Sequence, residues 1–143
     1  MKPYTKEYQA QVKAIITEAY VFPNFKKGSL PAMKYFTPIA VWDTGAENTY
    51  ISPRVAEALQ LTPIGRTKVM ALGGSRDVEI YEIAIALPNG RLYHDYKVYC
   101  DDIDDYDILF GMDIIGDTDF LITNKDNKTV FTFRSPSEGN VSL

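Results

Sequence analysis

Cysteine and histidine are almost missing from this sequence, with Cys100 and His94 the sole example of each. One cysteine excludes an internal disulfide and any CxxC pair, and with a single histidine beside it no Cys/His zinc cluster can be assembled. Triads built on a thiol or an imidazole are weakened as well, since one His would have to serve them. Long hydrophobic runs are absent too. No stretch of about 18 apolar residues exists to span a bilayer, and the N-terminal MKPYTKEYQAQVK lacks the apolar centre of a secretion signal. Basic clusters are also missing, because 15 Lys+Arg are outnumbered by 19 Asp+Glu and no stripe could neutralise a row of phosphates. Neither a membrane nor a nucleic acid is therefore an expected partner, and the expected location is cytoplasmic.

What is present is the material of one soluble domain. The 143 residues are 45% hydrophobic and 24% charged with a net charge of -4, enough to bury a core but too few for two full-sized domains. We expect a single domain over 1–143, with a core from about 10 to 136, an inserted loop over 22–37 and a flexible tail over 137–143. No internal repeat and no low-complexity tract interrupts it.

Short strand patterns separated by turn residues dominate the chain. Residues 10–22, AQVKAIITEAYVF, alternate with period 2, although Tyr8, Val12, Ile15 and Ala19 also recur at helical spacing. Strand is the preferred reading. PNFKKGSLPAMKYF, Pro23 to Phe36, holds two prolines, a glycine and no period, and reads as a long loop. PIAVW, Pro38 to Trp42, reads as a buried strand, NTYIS as a short one, and Ser52-Pro53 as the start of a helix of about two turns. A strand over Lys68 to Met70 enters Gly73-Gly74, and Asp77 to Leu87 leaves it. Pro88-Asn89-Gly90 is a hairpin turn into Arg91 to Cys100. After the acidic DDIDDYD come DILFG, a helical turn over Met112 to Ile115, and the strands DFLIT and KTVFTF. Many short strands with only one or two short helices predict an all-β barrel or sandwich.

The chemistry, if there is any, starts at VWDTGAENTY, Val41 to Tyr50. Alone, Asp-Thr-Gly is ordinary turn punctuation, since Asp accepts backbone N–H bonds and Gly tolerates unusual φ. Its company changes that reading. An apolar strand, Asp43-Thr44-Gly45-Ala46, a glycine pair at Gly73-Gly74 inside a hairpin, and Ile108-Leu109-Phe110-Gly111 before a short helix follow in that order. That set resembles the retropepsin-like aspartic proteases over about Ile39 to Pro136. The tail DILFGMDIIGDTDFLITNKDNKTVFTF resembles the bacterial branch in particular.

The resemblance implies a retropepsin-like acid-protease barrel in which Asp43 carries the catalytic carboxylate, with Thr44 and Gly45 completing the catalytic turn. It implies that Thr44 bonds across a dimer by its hydroxyl, and that Ala46 with the flap residues Ala71, Leu72, Gly73 and Gly74 binds a peptide or protein substrate. Asp113 is implied to be a structural group beside the turn. Two carboxylates about 3 Å apart share one proton, so that one activates water while the other donates to the scissile carbonyl. No second Asp-[Ser/Thr]-Gly follows Gly45. A second copy must then complete the site, which predicts a homodimeric aspartic endopeptidase with no cofactor and no metal.

The alternative is a non-catalytic peptide-binding or assembly module that keeps the same fold, but such a module has no physical need for an unpaired carboxylate at a dimer axis. Asp101, Asp102, Asp104, Asp105 and Asp107 invite calcium, yet they lack the glycine and terminal glutamate of an EF-hand, and read as a solvated acidic loop. His94 reads as a surface or half-buried packing residue. Trp42 stands where viral members usually carry a smaller aliphatic residue, so the packing behind the turn is expected to differ.

Overall fold

The computed structural model describes residues 2–143, apart from the side chain of Ala71. Ten strands and two short helices follow one another along the chain. They are β1 (Tyr4–Glu7), β2 (Ile15–Pro23), β3 (Tyr35–Trp42), β4 (Tyr50–Ile51), α1 (Pro53–Ala58), β5 (Gly65–Ala71) and β6 (Gly74–Ala86), then β7 (Leu92–Cys100), β8 (Ile108–Phe110), α2 (Met112–Ile115), β9 (Asp119–Thr123) and β10 (Val130–Arg134). A 3-10 turn at Lys125–Asn127 joins the last two strands. No helix among the described residues is long and apolar enough to cross a membrane.

Burial along β2 decides between its two sequence readings. Ile15, Thr17, Ala19 and Val21 are buried while the residues between them are half-exposed, which is the period of a strand with one face on the core. β2 pairs with β3 on one side and with the end of β6 on the other. These pairings close β2, β3, β8, β4, β7 and β6 into a barrel, with β5 continuing from β6. Closure removes the open edges that an extended sheet would expose. Most neighbours are antiparallel, but β8 lies parallel to β3, with Trp42 opposite Phe110, and antiparallel to β4. That threading brings Gly111 to the end of β3, where Asp43 follows.

β1, β10 and β9 form a separate three-stranded sheet. Phe131 and Phe133 on β10 are fully buried and meet the Trp42 indole at 5.3 and 4.9 Å, with Phe110 at 4.7 Å on the same ring. The indole Nε1–H donates to Thr17 Oγ1 at 3.0 Å, so the polar end of this large ring is satisfied inside the core. The residue before the Asp-Thr-Gly turn is thus a nail through the barrel, the small sheet and β8 together.

One sequence expectation needs correction here. Asp107 belongs by position to the acidic loop, but it is 4% exposed. Its Oδ2 accepts the Thr37 hydroxyl at 2.6 Å, and its Oδ1 is paired with the Arg54 guanidinium from α1. A buried carboxylate is retained only with such partners. Asp107 ties α1 to β3 and is no part of a solvated face.

Candidate active site

Asp43 leaves the end of β3, and its N–H donates to the Phe110 carbonyl at 2.9 Å, prolonging the parallel pairing with β8 by one residue. The Ala46 N–H returns to the Asp43 carbonyl at 3.2 Å and closes the turn. Within it the Gly45 N–H donates to Asp43 Oδ1 at 2.8 Å, which fixes the carboxylate against its own backbone. A Cβ built on Gly45 would lie 3.2 Å from that same Oδ1. A side chain at this position would have to displace the carboxylate by a few tenths of an ångström. Asp43 is half-buried, whereas Thr44 and Gly45 are exposed on the isolated chain. Among the described residues, no group within the chain bonds the Thr44 hydroxyl.

The segment after the turn is held from behind by Gly111, Met112 and Asp113. Met112 N–H donates to the Ala46 carbonyl at 2.7 Å, Asp113 N–H to the Glu47 carbonyl at 3.2 Å, and Gly111 N–H to Thr49 Oγ1 at 3.2 Å. Asp113 also accepts the Thr49 hydroxyl at 2.7 Å and the Thr49 N–H at 3.1 Å. Tyr96 donates to the same carboxylate at 2.8 Å. Burial, then the Asp113 carboxylate, push the Tyr96 phenol well above its ordinary range, so it remains a donor. Gly111 has no room for a side chain, since a Cβ would fall 2.6 Å from the Asn48 carbonyl carbon. Asp113 therefore orients the turn through Thr49, and it is no candidate for acid or base chemistry.

Opposite the turn stands the β5–β6 hairpin. Ala71 pairs with Gly74 across a tight turn of Leu72 and Gly73, and Gly73 and Gly74 have φ of +95° and +123°, values that glycine adopts without steric cost. Leu72 is fully exposed at the tip, and Met70 is 84% exposed. A cleft of about 640 Å³ separates this hairpin from the turn. It is open to solvent, and Gly45 and Ala46 form its floor while Lys68, Val69 and Met70 of β5 form its roof.

Of the residues singled out in the sequence, the structure brings Gly45 and Ala46 to this cleft, with Asp43 and Thr44 contiguous with them. Leu72, Gly73 and Gly74 stand beyond it at the hairpin tip, and a Cβ on either glycine would meet nothing within 4 Å. The side chain of Ala71 lies outside the described residues. The sequence reading missed Tyr50 and Tyr99, which line the cleft and meet edge to face at 5.6 Å. Their pairing of β4 with β7 is a parallel contact between distant segments that no local pattern signals. A wider concavity of about 720 Å³ beside α1 contains none of the turn residues. His94 is half-buried, its Nδ1 3.1 Å from the Phe25 carbonyl and its ring 4.8 Å from that of Phe25.

No family model and no curated protein matches this chain. Among solved structures it is similar to the crystal structure of a retropepsin-like aspartic protease from Rickettsia conorii, with 15% identity and a TM-score of 0.50 over 92% of this chain and 93% of that one. The likeness runs through the whole barrel, and with it the chain has an all-β, retropepsin-like fold.

Proposed function

We propose that the protein is an aspartic endopeptidase that works as a homodimer, each subunit supplying one Asp43 to a shared site. The observation that supports this reading most is the state of the Asp43 turn. Its carboxylate is bonded by the Gly45 N–H, the turn is clamped by Gly111 to Asp113, Thr44 is exposed, and Gly45 and Ala46 open onto a cleft of about 640 Å³. Such rigidity at an exposed, half-complete site serves a reaction that needs two carboxylates held in register.

The steps follow from ordinary chemistry. The ionised member of the pair takes a proton from water as the oxygen attacks the scissile carbonyl carbon, and the protonated member donates to the carbonyl oxygen. The tetrahedral diol then collapses with cleavage of the C–N bond: the carboxyl that took the water proton gives it to the departing amine nitrogen, and a diol hydroxyl returns its proton to the other carboxylate, restoring the pair. The β5–β6 hairpin covers the peptide, excludes water and offers β5 as a strand for main-chain pairing. The test is hydrolysis of a diverse peptide mixture between about pH 4 and 7, with wild type beside Asp43→Asn. Cuts that vanish in the variant support the proposal. Equal turnover by a folded Asp43→Asn chain would sink it.

A further inference from the structure

The roof of the cleft is carried by β6, and the point where that strand leaves the barrel decides what can hold it. β6 pairs with β7 only from Glu79 opposite Cys100 onward. Before that point it pairs with β5 alone, from Gly74 opposite Ala71 to Val78 opposite Thr67. Gly74, Ser75, Arg76 and Asp77 are exposed, and Val78 is the first side chain of the strand to enter the core. The outer arm of the hairpin is thus a two-stranded ribbon, a form with little stability of its own.

Three ion pairs involve this ribbon, and they differ in what they join. Arg66 with Glu79 at 3.6 Å and Lys68 with Asp77 at 3.4 Å connect residues directly opposite one another on β5 and β6. Both partners of each pair belong to the hairpin, so these contacts hold its two strands together and leave its angle to the barrel unset. Arg76 is different. Its guanidinium reaches out of the ribbon and donates to Asp101 Oδ1 at 2.6 Å. Among the described residues, this is the one side-chain hydrogen bond between residues 65–78 and the rest of the chain.

The far end of that bond is held in place. The Asp101 N–H donates to the Ile51 carbonyl at 3.3 Å, and the Asp102 N–H donates to the same Oδ1 that receives Arg76, at 2.8 Å. Ile51 is fully buried on β4, the strand that continues directly from the floor through Thr49 and Tyr50. Roof and floor therefore share one anchor. We propose that Arg76 is a positioning residue, which through Asp101 sets how the β5–β6 hairpin stands over the Asp43 turn. The effect on hydrolysis rests on the peptidase reading above, whereas the tie itself needs no reaction. The Arg76 side chain is 53% exposed and that of Asp101 18%, so salt screens the pair in part and weakens the tie as ionic strength rises.

Two readouts separate the tie from the reaction. In a Cys100→Ser background, nitroxide labels at Leu72→Cys on the hairpin tip and Leu30→Cys on the Pro23–Phe36 loop, both exposed, report the stance of the hairpin as a distance distribution in chains diluted with unlabelled protein. Arg76→Gln should broaden that distribution. In hydrolysis of an uncharged peptide, Arg76→Gln should raise KM about two- to fivefold, the range of an exposed ion pair, with kcat little changed. Arg76→Lys should restore most of the loss, and Arg66→Gln, which removes a pair inside the ribbon, should leave KM unchanged. Raising salt from about 0.05 to 0.5 M should increase the wild-type KM and leave that of Arg76→Gln flat. An unchanged distance distribution in Arg76→Gln, or a broadened one with an unchanged KM, would overturn the proposal. A wild type that cleaves nothing while Arg76→Gln still broadens the distribution would overturn the peptidase reading and leave the tie standing.

Discussion

The two walls of the cleft are built on opposite plans. The floor, from Asp43 to Thr49, is hydrogen-bonded at Asp43, Ala46, Glu47 and Thr49 to the segment from Phe110 to Asp113, with Thr49 buried and Gly111 pressed onto the Asn48 backbone. The roof, from Lys68 to Gly74, is a hairpin whose tip projects Met70 and Leu72 into solvent and whose glycines have open space where a side chain would stand. The floor holds a carboxylate in one place, whereas the roof is a two-stranded hairpin whose tip is exposed. Local stability follows this division, since segments with few buried contacts open at the least cost.

Substitutions can break that contrast from either side. The largest effect is expected at Gly111→Ala. Its Cβ would collide with backbone that cannot move aside, at a cost of at least about 2 kcal/mol in unfolding free energy, read from the denaturant midpoint. Next comes Asp113→Ala, which strands the Thr49 and Tyr96 donors. Unsatisfied buried groups cost about 1–3 kcal/mol, and hydrolysis should fall further than stability alone explains because the turn loses its brace. Gly73→Ala, by comparison, strains a positive φ for roughly 1–2 kcal/mol. It should alter kcat/KM through the motion of the hairpin while leaving the floor intact. An equal stability loss at Gly73 and Gly111 would erase the distinction between roof and floor.

The smallest effect concerns a clasp remote from both. Asp119 accepts the Ser137 hydroxyl at 2.6 Å, the Glu138 N–H at 2.7 Å and Arg134 Nε at 2.8 Å. Led by the Ser137 bond, these donors hold its carboxyl well below the usual carboxylate range. A carboxylate lowered in this way stabilises the folded state above its unfolded pKa of about 3.9 and loses that contribution as pH falls below it. Asp119→Asn should therefore lower Tm slightly at neutral pH, and the gap to wild type should shrink as pH falls below about 4.

How much of this was legible in the chain depended on whether the cause was local. Asp43-Thr44-Gly45, the Gly73-Gly74 hairpin and Ile108-Leu109-Phe110-Gly111 are each signalled by adjacent residues, and each lies in the element expected of it. β1 gave no signal. Tyr4-Thr5-Lys6-Glu7 is an edge strand with half its side chains exposed, and its partner β10 lies at the other end of the chain. Asp107 was misread because acidity in a row suggests solvent, whereas Arg54 reaches it from a helix some fifty residues earlier. The cleft walls Tyr50 and Tyr99 were invisible for the same reason, being neighbours only through the β4–β7 pairing. Burial settled β2, where the sequence allowed two periods.

The central claim is that two Asp43 side chains, one from each subunit, make one site. It is tested most directly by mixing wild type with Asp43→Asn at fixed total protein, allowing exchange, and following peptide hydrolysis against the wild-type fraction. If both carboxylates are needed, mixed dimers are inactive and the rate falls as the square of that fraction, to about a quarter at equal mixing. A rate that falls in simple proportion would mean that each chain works alone, and would contradict the account.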